Sequence, residues 1–163
     1  MCELLQKYQI LIAGCLGFVG VIVTILANGF FSRQQHKREL KSKENSVRVA
    51  IRSELEINLS SFEARIEQLG KPTNSDAHIP NSFFTDVYDT LLNEIGLLNE
   101  SEVASVINAY LLIKELPYYF QLYAHTSKEG FVVIKTDKRQ MVADFHAVRL
   151  KPIKDAISSL KNA

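Results

Sequence analysis

The chain has 163 residues, a formal net charge of +1 and 47% hydrophobic side chains. This length allows one domain with a modest core beyond a membrane segment. The two cysteines, Cys2 and Cys15, lie in the first part of the chain. A disulfide framework or a cysteine zinc cluster is therefore excluded from the rest of the sequence.

The first predicted element is a membrane-spanning helix over residues 10–31, which follows a short extracytoplasmic N-terminus, residues 1–9. The segment ILIAGCLGFVGVIVTILANGFF carries no charge. As a helix it extends over roughly 33 Å, close to the thickness of about 30 Å of a hydrocarbon core. The sequence IAGC at Ile12–Cys15 also fits a lipoprotein signal, and a cleaved signal peptide is a second alternative. Both are disfavoured, because the apolar run continues past Cys15 without a small-residue cleavage site after it.

A basic juxtamembrane stalk, residues 32–46, is predicted directly after the span. Only Lys7 precedes the span, whereas the stalk has five basic side chains, Arg33, Lys37, Arg38, Lys41 and Lys43. Because basic residues are retained on the cytoplasmic side, we predict a single-pass protein of the plasma (inner) membrane with its N-terminus outside and its C-terminal part cytosolic. The basic side chains are expected to contact anionic lipid headgroups. Since they lie against the membrane, nucleic acid is not expected as a partner.

Small residues recur along the predicted span at Ala13, Gly14, Gly17, Gly20 and Thr24. Small side chains allow helix backbones to approach closely, which favours helix association in lipid. A single span has no second span in its own chain to cover this face. The sequence therefore predicts a homo-oligomer, or a membrane or cytosolic protein partner.

Residues 47–163 are predicted to form a cytosolic helical domain. Its first helix carries apolar residues three or four positions apart, which is the pattern of a single apolar helix face. We call this set the helix-packing stripe: Val47, Ile51, Leu55, Leu59, Phe62, Ile66 and Leu69. The stripe requires a covering helix from the same chain or from another subunit. Gly70 followed by Pro72 predicts the end of the helix.

Two helices are predicted after the linker that follows Pro72. The first covers approximately residues 82–93. The second begins at Glu100, because Asn99 and Glu102 are spaced nearly as in a capping box. Pro117 is expected to kink or end this helix, since proline lacks the backbone donor that a helix interior uses.

The C-terminal part contains a β-prone segment and a last helix. Residues 131–134, FVVI, favour a strand, but no partner strand is evident, so an extended segment or the start of the last helix is expected. The last helix begins near Asp137, and Pro152 kinks or divides it. The predicted fold class is all-α, with the membrane helix continuing through the stalk into a long amphipathic helix that packs with about three further helices in a small bundle.

One residue pattern looks like a packing signature of uncharacterised bacterial single-span membrane proteins. It consists of Phe84-x-x-x-Tyr88, then IGLL at Ile95–Leu98, then Tyr110. In those proteins a membrane helix and a basic stalk precede a small helical bundle. The resemblance implies this layout for residues 10–163 and carries no activity with it.

Arg139 and His146 form an Arg-x6-His pattern on the predicted last helix. A separation of seven residues places both on one helix face. The pattern is similar to the Arg-x4-6-His pattern of HEPN-type RNases, in which the two residues act at a scissile phosphate in a dimer interface. The layout is also similar to HEPN-like CRISPR-associated membrane accessory proteins of the type VI-B class. These residues are the candidate catalytic pair of one alternative function, a membrane-tethered HEPN-like RNase.

The sequence favours a non-enzymatic function. It contains no phosphate-binding loop, nucleophile elbow, HExxH motif or metal-ligand spacing, so neither a metal nor another cofactor is expected. The main hypothesis is a single-pass, membrane-anchored helical interaction or scaffold protein that self-associates. The alternative is an oligomeric membrane pore or membrane-perturbing effector, with the HEPN-like RNase as the second alternative.

The predicted topology is tested with a reporter enzyme that is active only outside the cytoplasm. Fused to the C-terminus, the reporter is expected to be inactive, because the basic stalk keeps that end of the span in the cytoplasm. The matched fusion to the N-terminus is expected to be active. Activity from the C-terminal fusion would contradict the cytosolic assignment.

Overall fold

A computed structural model describes the backbone of residues 2–124, 126–128 and 130–161, and the side chains of Tyr8, residues 17–124 and residues 130–161. Its α-helices are α1 (Cys2–Gly70), α2 (Asp86–Leu91), α3 (Glu100–Tyr123) and α4 (Arg139–Lys161). Its strands are β1 (Ala77–Pro80), β2 (Thr126–Lys128) and β3 (Phe131–Ile134), and short 3-10 helices cover Leu92–Leu97 and Thr136–Lys138. The chain forms two compact units, one ending at Lys43 and one beginning at Glu44.

The predicted all-α class is confirmed, because the described part is 83% helical and has four α-helices. Helix α1 ends at Gly70, where the glycine and the following proline predict a stop. Helices α2 to α4 and the three strands all belong to the second unit.

The helix-packing stripe of α1 is covered by helices of the same chain. Its buried members Val47, Ile51, Leu55 and Phe62 are at most 2% exposed and lie in one apolar cluster with residues of α3 and α4. Leu69 is buried in a second cluster with residues of β1, β3 and α4. Burying a large aliphatic or aromatic side chain contributes about 1.5–3 kcal/mol. The stripe is therefore part of the core of the second unit.

The predicted capping box at the start of α3 is present, and it includes a residue from α1. The Asn99 side chain accepts from the Glu102 N–H at 2.9 Å, and the Glu102 carboxylate accepts from the Asn99 N–H at 2.9 Å. Arg48 of α1 donates to both oxygens of this carboxylate, at 2.6 and 3.0 Å. Glu102 is 1% exposed, and its hydrogen bond raises the pKa of Arg48. This partly buried pair links α1 to the N-terminus of α3.

The expected break at Pro117 is wrong, because α3 continues through this residue to Tyr123. The side chains on both sides of the proline are anchored in the core, with Leu116 and Phe120 at most 4% exposed. The Phe120 ring lies 5.6 Å from the Phe83 ring. Packing of the last turns thus outweighs the backbone hydrogen bond that proline removes. Pro152 is likewise inside α4 and does not divide it.

The expectation that residues 131–134 have no strand partner is also wrong. Strand β3 is the centre of a three-stranded antiparallel sheet with the order β1-β3-β2. Its partner β1 comes from the linker after α1, far upstream, where the alternation of buried Ala77 and Ile79 with exposed His78 covers only four residues. Gly130, with φ of 81°, adopts a left-handed conformation immediately before β3, which favours glycine. Its carbonyl also accepts from the Asn81 N–H at 2.7 Å, just beyond β1.

Helix α2 starts later than predicted, because the chain before it is held in an irregular conformation by α1. Asn58 accepts from the Phe84 N–H at 3.1 Å and donates to the Phe84 carbonyl at 2.6 Å. Thr85 precedes α2 but makes no side-chain cap. Instead the Glu54 carboxylate accepts from the Val87 N–H at 2.8 Å and from the next N–H at 3.0 Å. A carboxylate of α1 therefore caps α2, where the helix dipole favours negative charge.

The hydroxyl of Tyr110 completes this site by donating to Glu54 at 2.6 Å. Both side chains are at most 4% exposed, and burial together with the Glu54 carboxylate raises the pKa of Tyr110. We predict that Tyr110→Phe lowers the free energy of unfolding by about 1–3 kcal/mol, because a buried carboxylate loses a donor. Denaturant titration of the full-length protein in nonionic detergent, followed by circular dichroism, measures the change.

The matched control is Tyr118→Phe, which removes the same hydroxyl from a side chain that is 68% exposed. This control is expected to change stability by less than about 0.5 kcal/mol. Equal stability of Tyr110→Phe and the wild type would show that the buried hydrogen bond has no net effect.

Candidate membrane and interaction surfaces

The N-terminal part of α1 exposes a continuous series of large apolar side chains. Nine of them are 40–68% exposed in the first unit: Phe18, Val19, Val21, Ile22, Val23, Ile25, Leu26, Phe30 and Phe31. They are distributed all around the helix, since Phe18, Val23 and Phe31 lie about 80° or more apart around its axis. Exposed apolar patches made of many adjoining large side chains mark interaction sites or membrane contacts. A helix that is apolar on every side is typical of a membrane or a protein interior.

Among the residues whose side chains the structure describes, no helix is both long enough and apolar enough to cross a membrane.

The predicted association face is only partly described. Ala13 and Gly14 lie outside the residues whose side chains are described. At Gly17 and Gly20, an added Cβ atom would meet no atom within 4 Å other than those of the adjacent residues and the neighbouring backbone of its own helix. The Thr24 hydroxyl donates to the Gly20 carbonyl at 2.8 Å, so its polar group is satisfied within the helix. This part of the face therefore has small side chains and free space beside them, and its one hydroxyl group already has a hydrogen-bond partner.

The predicted lipid contacts form the polar end of the same unit. All five are exposed: Arg33, Lys37, Arg38, Lys41 and Lys43. The acidic residue among them, Glu39, accepts a hydrogen bond from Gln35 at 2.8 Å. The exposed apolar region of α1 is thus followed directly by a predominantly positive region.

A second exposed apolar surface lies on α3, in the other unit. It consists of Ile107, Leu111, Tyr118 and Leu122, which are 37–73% exposed. We call it the α3 surface. Its residues are spaced by four, seven and four positions, so they lie on one helix face. The opposite face of α3 carries Val106, Tyr110 and Ile113 into the core.

Arg139, the first residue of the candidate catalytic pair, caps the C-terminus of α1. Its guanidinium donates to four carbonyl oxygens at 2.7–3.1 Å, those of Gln68, Leu69, Lys71 and Ser75. These include carbonyls that a helix end leaves without partners. The side chain is 6% exposed. Its donors are therefore directed at the backbone of its own chain.

His146, the second residue of the pair, lies in the core. It is fully buried, and its ring packs 5.3 Å from the Phe62 ring and 5.7 Å from the Phe120 ring. Nδ1 donates to the Val142 carbonyl at 2.8 Å. Nε2 has no hydrogen-bond partner among the described residues. Burial lowers the pKa of His146 to about 4, and the positive charges of Arg65 and Arg149 act in the same direction.

Neither member of this pair is presented to solvent, so the structure does not place them together in an open cleft. The described residues also contain no group of three or more His, Cys, Asp or Glu side chains that could hold a metal ion. The hypothesis of a HEPN-like RNase stays a prediction, and nothing in the geometry of these two side chains supports it.

The sequence analysis did not identify a row of polar residues on α1, of which Glu54, Asn58 and Arg65 are buried and Gln68 is exposed. Glu54, Asn58, Arg65 and Gln68 all hydrogen bond to the chain between residues 78 and 88. They are four, seven and three positions apart, so they follow the same helical period as the helix-packing stripe on α1. This repetition is a signal that the four residues lie along one line of the helix. It does not show whether that line meets water or another part of the chain, because a solvated helix face has the same pattern.

No protein-family model, curated protein or solved structure matches this chain. The function is therefore inferred from the residues and geometry of the chain itself.

The burial of His146 makes stability depend on pH. The unfolded histidine has a pKa near 6.5, whereas the folded one stays neutral down to about 4. Between these values the unfolded state binds more protons, so the free energy of unfolding falls as the pH drops from 6.5 to 4. The contribution of this group is roughly 3 kcal/mol. His146→Leu is expected to reduce this pH dependence.

Denaturant titrations at pH 7.5, 6, 5 and 4 measure the effect, and the difference from wild type removes the contribution of other titrating groups. His36→Gln, which replaces an exposed histidine, is the matched control and is expected to retain the wild-type pH dependence. If the free energy of unfolding of His146→Leu depends on pH as it does in the wild type, His146 is not the group that causes this pH dependence.

Proposed function

We propose that this protein is a single-pass, membrane-anchored helical interaction protein that self-associates. The observation that carries the proposal is the sequence of surfaces on α1. Nine exposed large apolar side chains surround the helix, and five exposed basic side chains follow them. Lipid accommodates both surfaces in this order, because the hydrocarbon core takes the apolar part and anionic headgroups attract the basic part.

The free energies support an anchor. Removing a large apolar side chain from water is favourable by about 1.5–3 kcal/mol, and nine such side chains are exposed on α1. Each basic residue near an anionic surface adds about 1 kcal/mol. Asn28 is the polar residue that opposes insertion, and it lies near the stalk end of the predicted span, where its cost is smallest.

Self-association is supported by the open face at Gly17 and Gly20. These residues and Thr24 lie within about 60° of one another around the helix. Close approach of two such faces gains van der Waals contact without crowding, and the Thr24 hydroxyl is satisfied within its own helix. A second copy of the chain is the occupant that always accompanies the first in the same membrane.

The α3 surface is assigned to contact between the second units of such copies. Tethering in one membrane raises the effective concentration of these units. A weak apolar contact is therefore sufficient for the second units of two copies to associate. Tyr118 and Leu122 are 68% and 73% exposed and are the residue types that gain most from burial in such a contact. The helix-packing stripe is not available for this role, since the chain covers it itself.

The proposal is tested by membrane extraction and by molar mass. The full-length protein is expected to stay with membranes washed in alkaline carbonate, and to be an oligomer by light scattering in nonionic detergent. Gly17→Leu is expected to shift the protein toward monomer by about tenfold or more in dissociation constant, because the added side chain separates the helices. Adding Leu111→Asp, which places a charge on the α3 surface, is expected to leave monomer only.

Gly29→Leu is the matched control, because Gly29 lies about 120° from Gly17 around the helix. It is expected to retain the oligomer. Release of the wild type by carbonate would overturn the anchor. A wild-type monomer in detergent, or equal effects of the two glycine substitutions, would overturn self-association through this face.

A further inference from the structure

Arg65 on α1 is a buried cation without a matching anion. Its side chain is 4% exposed. Nη2 donates to the Ser82 carbonyl at 2.6 Å, whereas Nη1 is buried and has no hydrogen-bond partner among the described residues. The guanidinium lies 5.7 Å from the centre of the Phe62 ring and 5.0 Å from that of Phe83. Within the described part of the chain, no carboxylate is within ion-pair distance of it.

The other buried or partly buried arginines of this unit have more hydrogen-bond acceptors or a nearby carboxylate. Arg52, whose Nε also has no hydrogen-bond partner among the described residues, lies 3.9 Å from Glu56. Arg139 donates to four carbonyl oxygens, and Arg48 pairs with Glu102 and Glu44. Arg149 donates to backbone carbonyls and lies 3.7 Å from Glu115. A buried charge without hydrogen bonds or an opposite charge is costly. Among the described residues, Arg65 thus has neither a carboxylate neighbour nor the set of four carbonyl acceptors that Arg139 has.

Arg65 forms part of the wall of a cavity of about 310 Å³ between α1 and the segment before α2. The other lining residues are Ser61, Ala64, Gln68, Pro80, Ser82 and Phe84. None of them is acidic. Two of them, Ser61 and Ser82, have hydroxyl groups, and three have apolar side chains. The volume is at the lower end of small-molecule sites, which hold about 300–1,000 Å³.

We propose that this cavity binds a small organic carboxylate, whose carboxylate group pairs with the Arg65 guanidinium. A planar guanidinium matches a carboxylate in shape and in charge. A phosphate carries about two charges at neutral pH and is usually held by more than one cation or by backbone amides, and the cavity offers a single cation. The walls formed by Ala64, Pro80 and Phe84 suit an apolar body attached to the carboxylate.

Two further observations agree with this assignment. Burial lowers the pKa of Arg65 to about 10, and a bound carboxylate would favour the charged form and oppose that shift. Ser82, whose carbonyl accepts from Arg65, lies in the segment that α1 positions through Asn58 and Phe84. Binding is therefore expected to stabilise the contact between α1 and this segment. The site does not depend on the proposed membrane anchor or on self-association.

The test uses the full-length protein in nonionic detergent, titrated with sodium benzoate, sodium acetate and sodium phosphate at constant ionic strength set with sodium chloride. Isothermal titration calorimetry measures affinity and stoichiometry. Benzoate is expected to bind with one molecule per chain, and more tightly than acetate, because the apolar walls accommodate its ring. Arg65→Gln is expected to weaken benzoate binding by about tenfold or more, since one charge-assisted pair is lost.

Ala64→Leu provides a second variant that leaves Arg65 unchanged. Ala64 is exposed on α1 and lines the cavity, so a larger side chain there should fill the cavity while the chain still folds. It is also expected to weaken benzoate binding by about tenfold. Arg52→Gln, on the same helix but outside the cavity, is the matched control and is expected to bind as the wild type does.

Three outcomes would overturn the proposal. They are no saturable binding of benzoate, binding that is unchanged by both Arg65→Gln and Ala64→Leu, and tighter binding of phosphate than of benzoate.

Discussion

The buried carboxylate of Glu54 is the constraint on which the second unit depends. It accepts hydrogen bonds from two backbone amides at the start of α2 and from the Tyr110 hydroxyl of α3. A carboxylate that is 4% exposed is tolerated because all three donors are directed at it. The cap of α2 is therefore a residue of another helix. Glu54 thus links the start of α2 and the Tyr110 side chain of α3 to the same residue of α1.

The same principle recurs at other helix ends of the described chain. Arg139 of α4 donates to the carbonyls that end α1, and Arg48 of α1 joins the capping box of α3. In each case a charged side chain on one helix satisfies the free backbone groups of another. Arg139 thus has a clear structural role, and His146 packs between Phe62 and Phe120. Two residues that resemble a catalytic pair in the sequence are accounted for by capping and by core packing.

Arg65 is the exception in this network, and this is why it points to a ligand. The charged groups that cap helices have their hydrogen bonds within the chain, whereas one nitrogen of Arg65 has none among the described residues. The proposed carboxylate site and the proposed membrane helix are independent of each other. Together, the two proposals describe a protein that is held at a membrane, recognises a small carboxylate and presents the α3 surface to further copies.

The sequence by itself determined the features that depend on local order: the helical class, the stop at Gly70, the capping box of Asn99 and Glu102, and the stripe from Val47 to Leu69. Each follows from spacing along one segment, which fixes helix period and helix ends. Only the tertiary structure decided the pairing of β3 with the distant β1, the continuation of α3 through Pro117, and the roles of Glu54 and Arg139. These depend on contacts between residues far apart in the chain, where burial and partner geometry outweigh local preference. The sequence around a charged helix residue looks the same whether that residue meets water or the end of another helix. Its role can therefore be recognised only when the position of the neighbouring helix is known.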